Sequence, residues 1–230
     1  DWSSDVCSSD LRINALQSED TLTGAGTNPT LNFTFVDDAD TRDVAIHPTL
    51  NGIETVKVAF DANVVSTLDL QDSTGLKALE ITRMDDIGGN AQGAVAAALS
   101  YGVLNMTTVP ETVLIKNSSQ NQGDRLDLTF TGSAVAGNAD ETTVTLNNVN
   151  LHTLTIDDGA GAANSGVEKI NLVSSGSANT INTNLSIEDT ETLKISGDQN
   201  LTIGGQLNAN GSLKTVDASE LEGNLTFTVS

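Results

Sequence analysis

Short segments in which apolar and polar residues alternate follow one another along this chain, and one of them returns at a fixed interval. The segment 167–172 (Val-Glu-Lys-Ile-Asn-Leu) is followed by 190–195 (Thr-Glu-Thr-Leu-Lys-Ile) and then by 213–218, with the same interval between successive starts. The same pattern stands earlier at 53–58 and, after the same interval, at 76–81. Alternation rich in Thr, Val and Ile is typical of β-strands. The pattern therefore predicts a repeat built from strands.

A second strand-like segment lies within each late repeat, at 179–185, 200–203 and 224–229, so each period is predicted to hold two strands. A repeat of about 23 residues cannot bury its apolar face until a neighbour covers it, which favours a stacked architecture. Rungs stacked about 4.8 Å apart would form a parallel β-helix with small inward side chains. The predicted fold class is all-β, an elongated parallel β-solenoid, and the 230 residues correspond to roughly ten rungs.

Some segments depart from the common interval, which predicts insertions between rungs. The strand-like segment 151–156 has the apolar spacing of the repeat but lies out of step with 167–172. The segment 91–99 is rich in alanine despite Gly93, and predicts one or two turns of helix over a rung corner. Three further strands are predicted at 112–116, 125–131 and 142–146.

Residues 1–11 share nothing with the repeats and contain the only Trp and the only Cys. They resemble translated adapter sequence, with a disordered leader as the alternative, and are excluded from fold reasoning. We expect residues 12–230 to form a single β-solenoid repeat domain, a fragment of a longer protein. Because Cys7 is alone, the chain can form neither an intrachain disulfide nor a cysteine-based zinc site.

The charge balance excludes several classes of partner. The chain has 31 acidic and 10 basic residues, and this net charge of −21 disfavours binding to nucleic acid or to anionic membranes. Aromatic residues make up 3% of the chain, too few for the stacking platforms of sugar-binding or single-strand-binding proteins. No run of about 20 apolar residues is present, so no transmembrane helix is expected. Such a composition suits the outside of a bacterial cell, although halophilic adaptation produces the same charge.

Clustered aspartates on bending loops are candidate calcium ligands, because calcium takes six to eight oxygen ligands from carboxylates, carbonyls and water. Nearby glycines would let backbone carbonyls join the coordination shell. None of the clusters has the spacing of an EF-hand loop, and each one taken singly is also typical of a solvated turn. The candidate ligands are Asp37, Asp38, Asp40, Asp85, Asp86, Asp157, Asp158 and Asp198.

Catalysis receives little support, and we predict that the chain is not an enzyme. His47 and His152 are far apart in sequence and have no evident partners. The alternative is a polysaccharide-acting β-helix enzyme, which needs carboxylates and a basic residue facing one groove. Lys169 and Lys194 do lie near acidic residues, but they also relieve the repulsion of a stacked acidic face.

The segments 166–172, 193–203 and 213–225, together with 51–56, carry a family resemblance. Through these segments, the region 109–230 resembles the strand-repeat region of bacterial surface-layer (S-layer) proteins. The resemblance is to S-layer proteins of the calcium-dependent, type I secreted, RTX-like kind, and 51–56 is similar to their rung openings. The resemblance implies a right-handed β-solenoid on the cell surface that binds calcium and associates into a lattice or with neighbouring rungs of the full-length protein. Large adhesins have the same repeat pattern, so an adhesin that does not form a lattice is the nearest alternative. A cell-surface polysaccharide is a further candidate partner.

A leucine-rich repeat is the rival architecture, because the segment 213–225 fits its length and spacing. The other copies lack the asparagine that follows the strand in such repeats, as 170–176 shows. The intervening halves are also Thr/Asn-rich and predict strands rather than helices. The second half of each period therefore distinguishes the two architectures.

Overall fold

The computed structural model describes residues 14–36, 43–62, 64–84, 99–118, 124–159 and 166–228. All regular elements in these ranges are strands, and every strand pair is parallel. The eighteen strands are β1 (Thr21–Thr23), β2 (Thr30–Val36), β3 (Val44–Ile46), β4 (Thr49–Asn51), β5 (Thr55–Asp61), β6 (Ser66–Asp69), β7 (Ala78–Met84), β8 (Ser100–Met106), β9 (Thr112–Lys116), β10 (Arg125–Phe130), β11 (Glu141–Asn147), β12 (Asn150–Asp157), β13 (Lys169–Ser175), β14 (Asn179–Ser186), β15 (Thr192–Gly197), β16 (Leu201–Asn208), β17 (Thr215–Leu221) and β18 (Leu225–Thr228).

The strands form two eight-stranded sheets that the chain visits alternately, which confirms the predicted β-solenoid. The first sheet has the order β2-β5-β7-β9-β11-β13-β15-β17, and the second has the order β3-β6-β8-β10-β12-β14-β16-β18. A small ladder of β1 and β4 lies beside them. Because β14, β16 and β18 are strands and not helices, the leucine-rich-repeat alternative is wrong.

The register confirms the interval of the sequence repeat where that repeat is clearest. Thr192 pairs with Lys169 on one side and with Thr215 on the other, and the two separations along the chain are equal. Elsewhere the interval is longer, since Ala78 pairs with Thr112. The predicted ten rungs are therefore too many, because inserted residues lengthen several rungs and each sheet has eight strands within the described ranges. The helix predicted at 91–99 falls on residues outside the described ranges, apart from Leu99.

The core lies between the two sheets, where alternate residues of every interior strand point inward. The predicted narrow interior of small side chains is wrong for the first rungs, which are filled by rings. Phe35 stacks on Phe60 with centroids 5.2 Å apart, and Phe60 packs against Tyr101 at 5.0 Å. The Tyr101 hydroxyl donates to the carbonyl of Ala62 at 3.0 Å, so the buried phenol keeps a hydrogen-bond acceptor.

The two ends of the described solenoid differ. Residues 14–23 cover the first rung: Leu16 is buried, the Asn14 side chain accepts from the Val36 amide at 3.0 Å, and β1 pairs with β4. At the other end, Val216 of β17 and Phe227 of β18 are only partly buried. Within the described residues, the core is therefore covered at the β2 end and only partly covered at the β17 and β18 end.

Candidate functional site

The structure separates the predicted calcium ligands into those at one turn and those elsewhere. Asp157 ends β12 and Asp158 follows it, whereas Asp198 lies exposed on the turn between β15 and β16. The other five candidates lie outside the described residues: Asp37, Asp38, Asp40, Asp85 and Asp86. Asp157 and Asp158 are therefore the described candidates that lie side by side.

The carboxylates of this turn are crowded. The backbone N–H of Asp158 donates to Asp157 Oδ1 at 2.5 Å, and Asp158 is 4% exposed. Burial raises the pKa of Asp157 to about 6, and the negative charges of Glu188 and Asp158 act in the same direction. The site therefore favours a bound proton or another cation. Gly159, at φ +69°, turns the backbone directly after the pair.

The protein ligands at this turn do not complete a cage by themselves. Within the described ranges, no group of three or more His, Cys, Asp or Glu side chains is placed to hold a metal ion. Calcium accepts backbone carbonyls and water as well as carboxylates, so two carboxylates can anchor it while other oxygens complete its shell. The oxygen donors of this turn and the carboxylates of Glu188 and Asp158 near Asp157 fit a hard cation.

A column of acidic residues runs along the same edge of the solenoid; the sequence indicated a stacked acidic face but not the full set of residues in it. Its members stand at or near the position before a first-sheet strand, and backbone hydrogen bonds join successive turns, as from the Glu191 amide to the Glu168 carbonyl at 2.9 Å. Lys77 pairs with Glu54 at 3.0 Å, and Lys214 pairs with Glu191 at 2.5 Å. The column consists of Glu54, Glu111, Asp140, Glu168 and Glu191. Its signal in the sequence is the glutamate that recurs in the repeated segment.

The outer face of the first sheet carries a shallow groove of about 480 Å³. Glu141 accepts a hydrogen bond from Asn171 at 2.8 Å and an ion pair from Lys169 at 3.4 Å, and these contacts lower its pKa. Lys194 pairs with Glu220 at 2.6 Å, a hydrogen bond that raises the lysine pKa. The groove is lined by Glu141, Thr143, Lys169, Asn171, Val173, Thr192, Lys194, Ser196 and Glu220.

The groove brings carboxylates and lysines together, as the enzyme alternative requires. A general acid in a glycan-cleaving site needs a raised carboxyl pKa, whereas the pKa of Glu141 is lowered. The lysines and glutamates instead stabilise one another across neighbouring strands, which agrees with the interpretation that they relieve repulsion on a stacked face.

Both histidines have partners, contrary to the sequence-based expectation. His47 Nε2 lies 3.2 Å from Asp72 Oδ2, and its Nδ1 lies 3.2 Å from the side-chain nitrogen of Gln71. His152 Nε2 lies 3.0 Å from the hydroxyl of Thr183. These partners come from neighbouring rungs, so they are distant in sequence. Each histidine thus joins adjacent turns of the solenoid.

The charges of the strands nearly cancel. The first sheet's strands contain five basic and five acidic residues, and the second sheet's strands contain one basic residue, Arg125, and three acidic ones. Within the described residues, the segments outside the strands contain 15 acidic and two basic residues, so most of the negative charge of this part of the chain lies in those segments. The described chain contains no helix that is both long enough and apolar enough to cross a membrane.

Comparison with known proteins identifies a relative. The chain is 30% identical over 233 residues to an S-layer protein of Synechocystis sp., and the alignment covers 94% of this chain. The chain spans 13% of the length of that relative. No protein-family model and no solved structure matches the chain. The resemblance to the repeat region of S-layer proteins is therefore confirmed, and the chain is related over nearly its whole length to one segment of such a protein.

Proposed function

We propose that this chain is a rod-like structural segment of a secreted bacterial surface-layer protein, and that calcium at its acidic turns stabilises the rod and promotes its assembly. The observation that carries the proposal is the separation of charge described above: nearly neutral sheets between strongly acidic turns. The relative's name supports the surface-layer role, and the repeating rungs supply a stiff element of defined length.

The charge arrangement explains why a divalent cation would matter. Carboxylates stacked on successive turns repel one another, and only Lys77 and Lys214 pair with members of the described acidic column. A cation bound between carboxylates removes this repulsion and lowers the pKa of Asp157, so binding releases protons near pH 6. Without the cation, the same charges keep separate copies apart.

The first test is thermal unfolding of the 230-residue chain in millimolar calcium, in millimolar magnesium and in chelator, followed by circular dichroism. Binding at 100 times the dissociation constant adds about 2.7 kcal/mol, which raises the midpoint by about 5–10 °C for a domain of this size. Light scattering on the same samples reports association, which we expect in calcium.

Asp157→Asn is the matched variant, and Asp198→Asn is its exposed control. We expect D157N to lose much of the calcium-dependent rise in midpoint and D198N to keep it, because Asp157 lies in the crowded turn and Asp198 on an open one. If midpoint and association in the wild type are the same in calcium and chelator, the calcium part of the proposal is wrong and the acidity serves solvation alone.

A further inference from the structure

The outer face of the second sheet has an uncharged region near its last strand, β18. The strands β14, β16 and β18 contain no Asp, Glu, Lys or Arg. Their outward positions carry short hydroxyl, amide or glycine residues, as at Thr180, Asn182 and Gly204. The neighbouring strand β12 extends the region with Asn150 and Thr155, while His152 lies between them and Asp157 ends the strand. We call the outward positions of β14, β16 and β18, together with Asn150 and Thr155 of β12, the uncharged face.

Rows of polar side chains cross this face in register. Thr180 pairs with Thr202, and Thr202 pairs with Thr226, so their side chains form one row at the strand spacing of about 4.8 Å. Asn182 on β14 donates to Asn150 Oδ1 at 2.7 Å and to the Leu151 carbonyl at 2.9 Å. An asparagine amide has two N–H donors, and both of those of Asn182 already have acceptors. Covering this side chain therefore leaves no unsatisfied donor.

The uncharged face is less costly to bury than the outer face of the first sheet. That face is also neutral, but its neutrality depends on ion pairs such as Lys194 with Glu220, and both of these side chains are more than a third exposed. Covering such pairs removes their hydration and immobilises long side chains. When they are covered, threonine and glycine lose far less side-chain entropy than lysine and glutamate do, and they have no charge to desolvate.

The charges of the turns act weakly at the middle of the uncharged face. The eight residues of β14 or β16 span about 26 Å, so mid-strand positions lie about 13 Å from either row of turns. This distance exceeds the Debye length of about 8 Å at physiological salt. Two copies of a chain with a net charge of −21 therefore repel least when they meet through this face.

The area suits a weak contact that is repeated many times. Strands β12, β14 and β16 are about 26 Å long and β18 is about 13 Å long, so at about 4.8 Å spacing they present roughly 440 Å² per copy. The total, about 900 Å², is in the range of weak or transient association. A single contact of this size gives a low affinity, whereas copies held on one surface benefit from high local concentration.

From these observations we infer that the uncharged face is a self-association surface, through which a second copy of this chain packs face to face about a two-fold axis. The inference rests on the proposed structural role, since it names the surface through which the rods associate. An isologous contact brings the same rows of Thr and Asn together from both copies. The flat outline left by Thr180, Thr202 and Gly204 allows the two sheets to approach closely.

The test is sedimentation equilibrium of the full chain at high concentration in calcium, with four variants. Thr202→Asp and Thr202→Lys place a charge on the uncharged face, and Thr180→Asp is a second site on the same row. Thr192→Asp is the matched control on the first sheet, where the position is also partly buried. Circular dichroism checks that each variant keeps its β signal, and T180D replaces T202D if the latter fails to fold.

We expect wild type and T192D to associate alike, and each charged variant of Thr202 to associate at least ten-fold more weakly. An equimolar mixture of T202D and T202K should associate more strongly than either alone, because opposite charges then meet across the contact. If wild type associates and T202D and T180D do so equally well, association uses another surface and the inference is wrong while the structural role stands. If wild type is monomeric under all conditions, the self-association surface is wrong, and so is the part of the proposed function in which calcium promotes assembly.

Discussion

The backbone N–H of Val149 donates to the side-chain oxygen of Asn179 at 2.8 Å, although the two residues lie 30 positions apart. Asn179 is 1% exposed, and its amide nitrogen lies 2.8 Å from the Ser174 hydroxyl and 2.9 Å from the Ser177 carbonyl. One buried amide therefore holds the turn between β13 and β14 to the turn of the preceding rung. Such a residue replaces backbone hydrogen bonds that a tight corner cannot form.

Replacement of Asn179 by Ala should destabilise the fold by about 2–3 kcal/mol, because the Val149 N–H and several turn acceptors lose their partner in a buried place. Urea unfolding followed by circular dichroism measures the change. Asn184→Ala is the control on the same strand, since Asn184 is exposed, and should cost less than about 0.5 kcal/mol. Equal losses in the two variants would contradict the role assigned to the buried amide.

Glu80→Gln should lower the free energy of unfolding at neutral pH and should make that free energy less dependent on pH in the acid range. Burial raises the pKa of Glu80, but the ammonium groups of Lys116 at 2.7 Å and Lys57 at 2.9 Å outweigh this and lower it. A lowered pKa means that the carboxylate stabilises the fold at pH values above the ordinary pKa of glutamate. This stabilisation is lost as the pH falls through the pKa that Glu80 has in the folded protein.

We expect E80Q to cost about 1–2 kcal/mol at pH 7 and progressively less as the pH falls through the lowered pKa of wild-type Glu80. The measurement is the free energy of unfolding between pH 7 and pH 3. Glu220→Gln is the exposed control, because the Glu220 side chain is 61% exposed in its pair with Lys194. A loss that stays constant across this pH range would refute the assignment to the two ion pairs.

Asp157→Asn should have the opposite pH dependence. The folded-state pKa of Asp157 is raised to about 6 from an ordinary 3.8, so its contribution to stability is fully present at low pH and is lost as pH rises through 6. In chelator, D157N should therefore be more stable than wild type at pH 8, by about 1 kcal/mol after solvent screening. The stabilities of D157N and wild type should become equal near pH 4. Thermal midpoints measured between pH 4 and pH 8 check this.

Gly197→Ala should be strongly destabilising. The residue adopts φ +113°, and a Cβ atom there would lie 2.1 Å from the Ser174 carbonyl oxygen of the preceding rung. We expect a loss of about 3 kcal/mol or more, combining backbone strain with a clash that only main-chain movement relieves. Gly26→Ala is the matched control, since Gly26 has φ +83° but no atom within 4 Å of the added carbon. It should cost about 1 kcal/mol, and a similar cost at both positions would refute the clash at Gly197.

The sequence predicted those parts of the fold that depend on local alternation and on equal spacing. The segments 190–195 and 213–218 correspond to β15 and β17, and the predicted strand 112–116 coincides with β9. The rung count failed because an insertion changes the interval without changing the pattern of the strands around it. The partners of His47 and the full membership of the acidic column escaped prediction because both depend on which residues the stacking brings side by side, and the spacing of an irregular rung does not fix that.

The difference between the two ends of the solenoid gives unfolding a direction. Each rung contacts only its neighbours, so the loss of one rung leaves the next in the same position as the one just lost. Leu193 and Ile195 are fully buried, whereas Val216 and Phe227 are covered from one side only. Hydrogen exchange should therefore be fastest in β17 and β18 and slow progressively toward the capped rung near Leu16. In this chain, unfolding should therefore begin at β17 and β18 and reach the rung covered by residues 14–23 last.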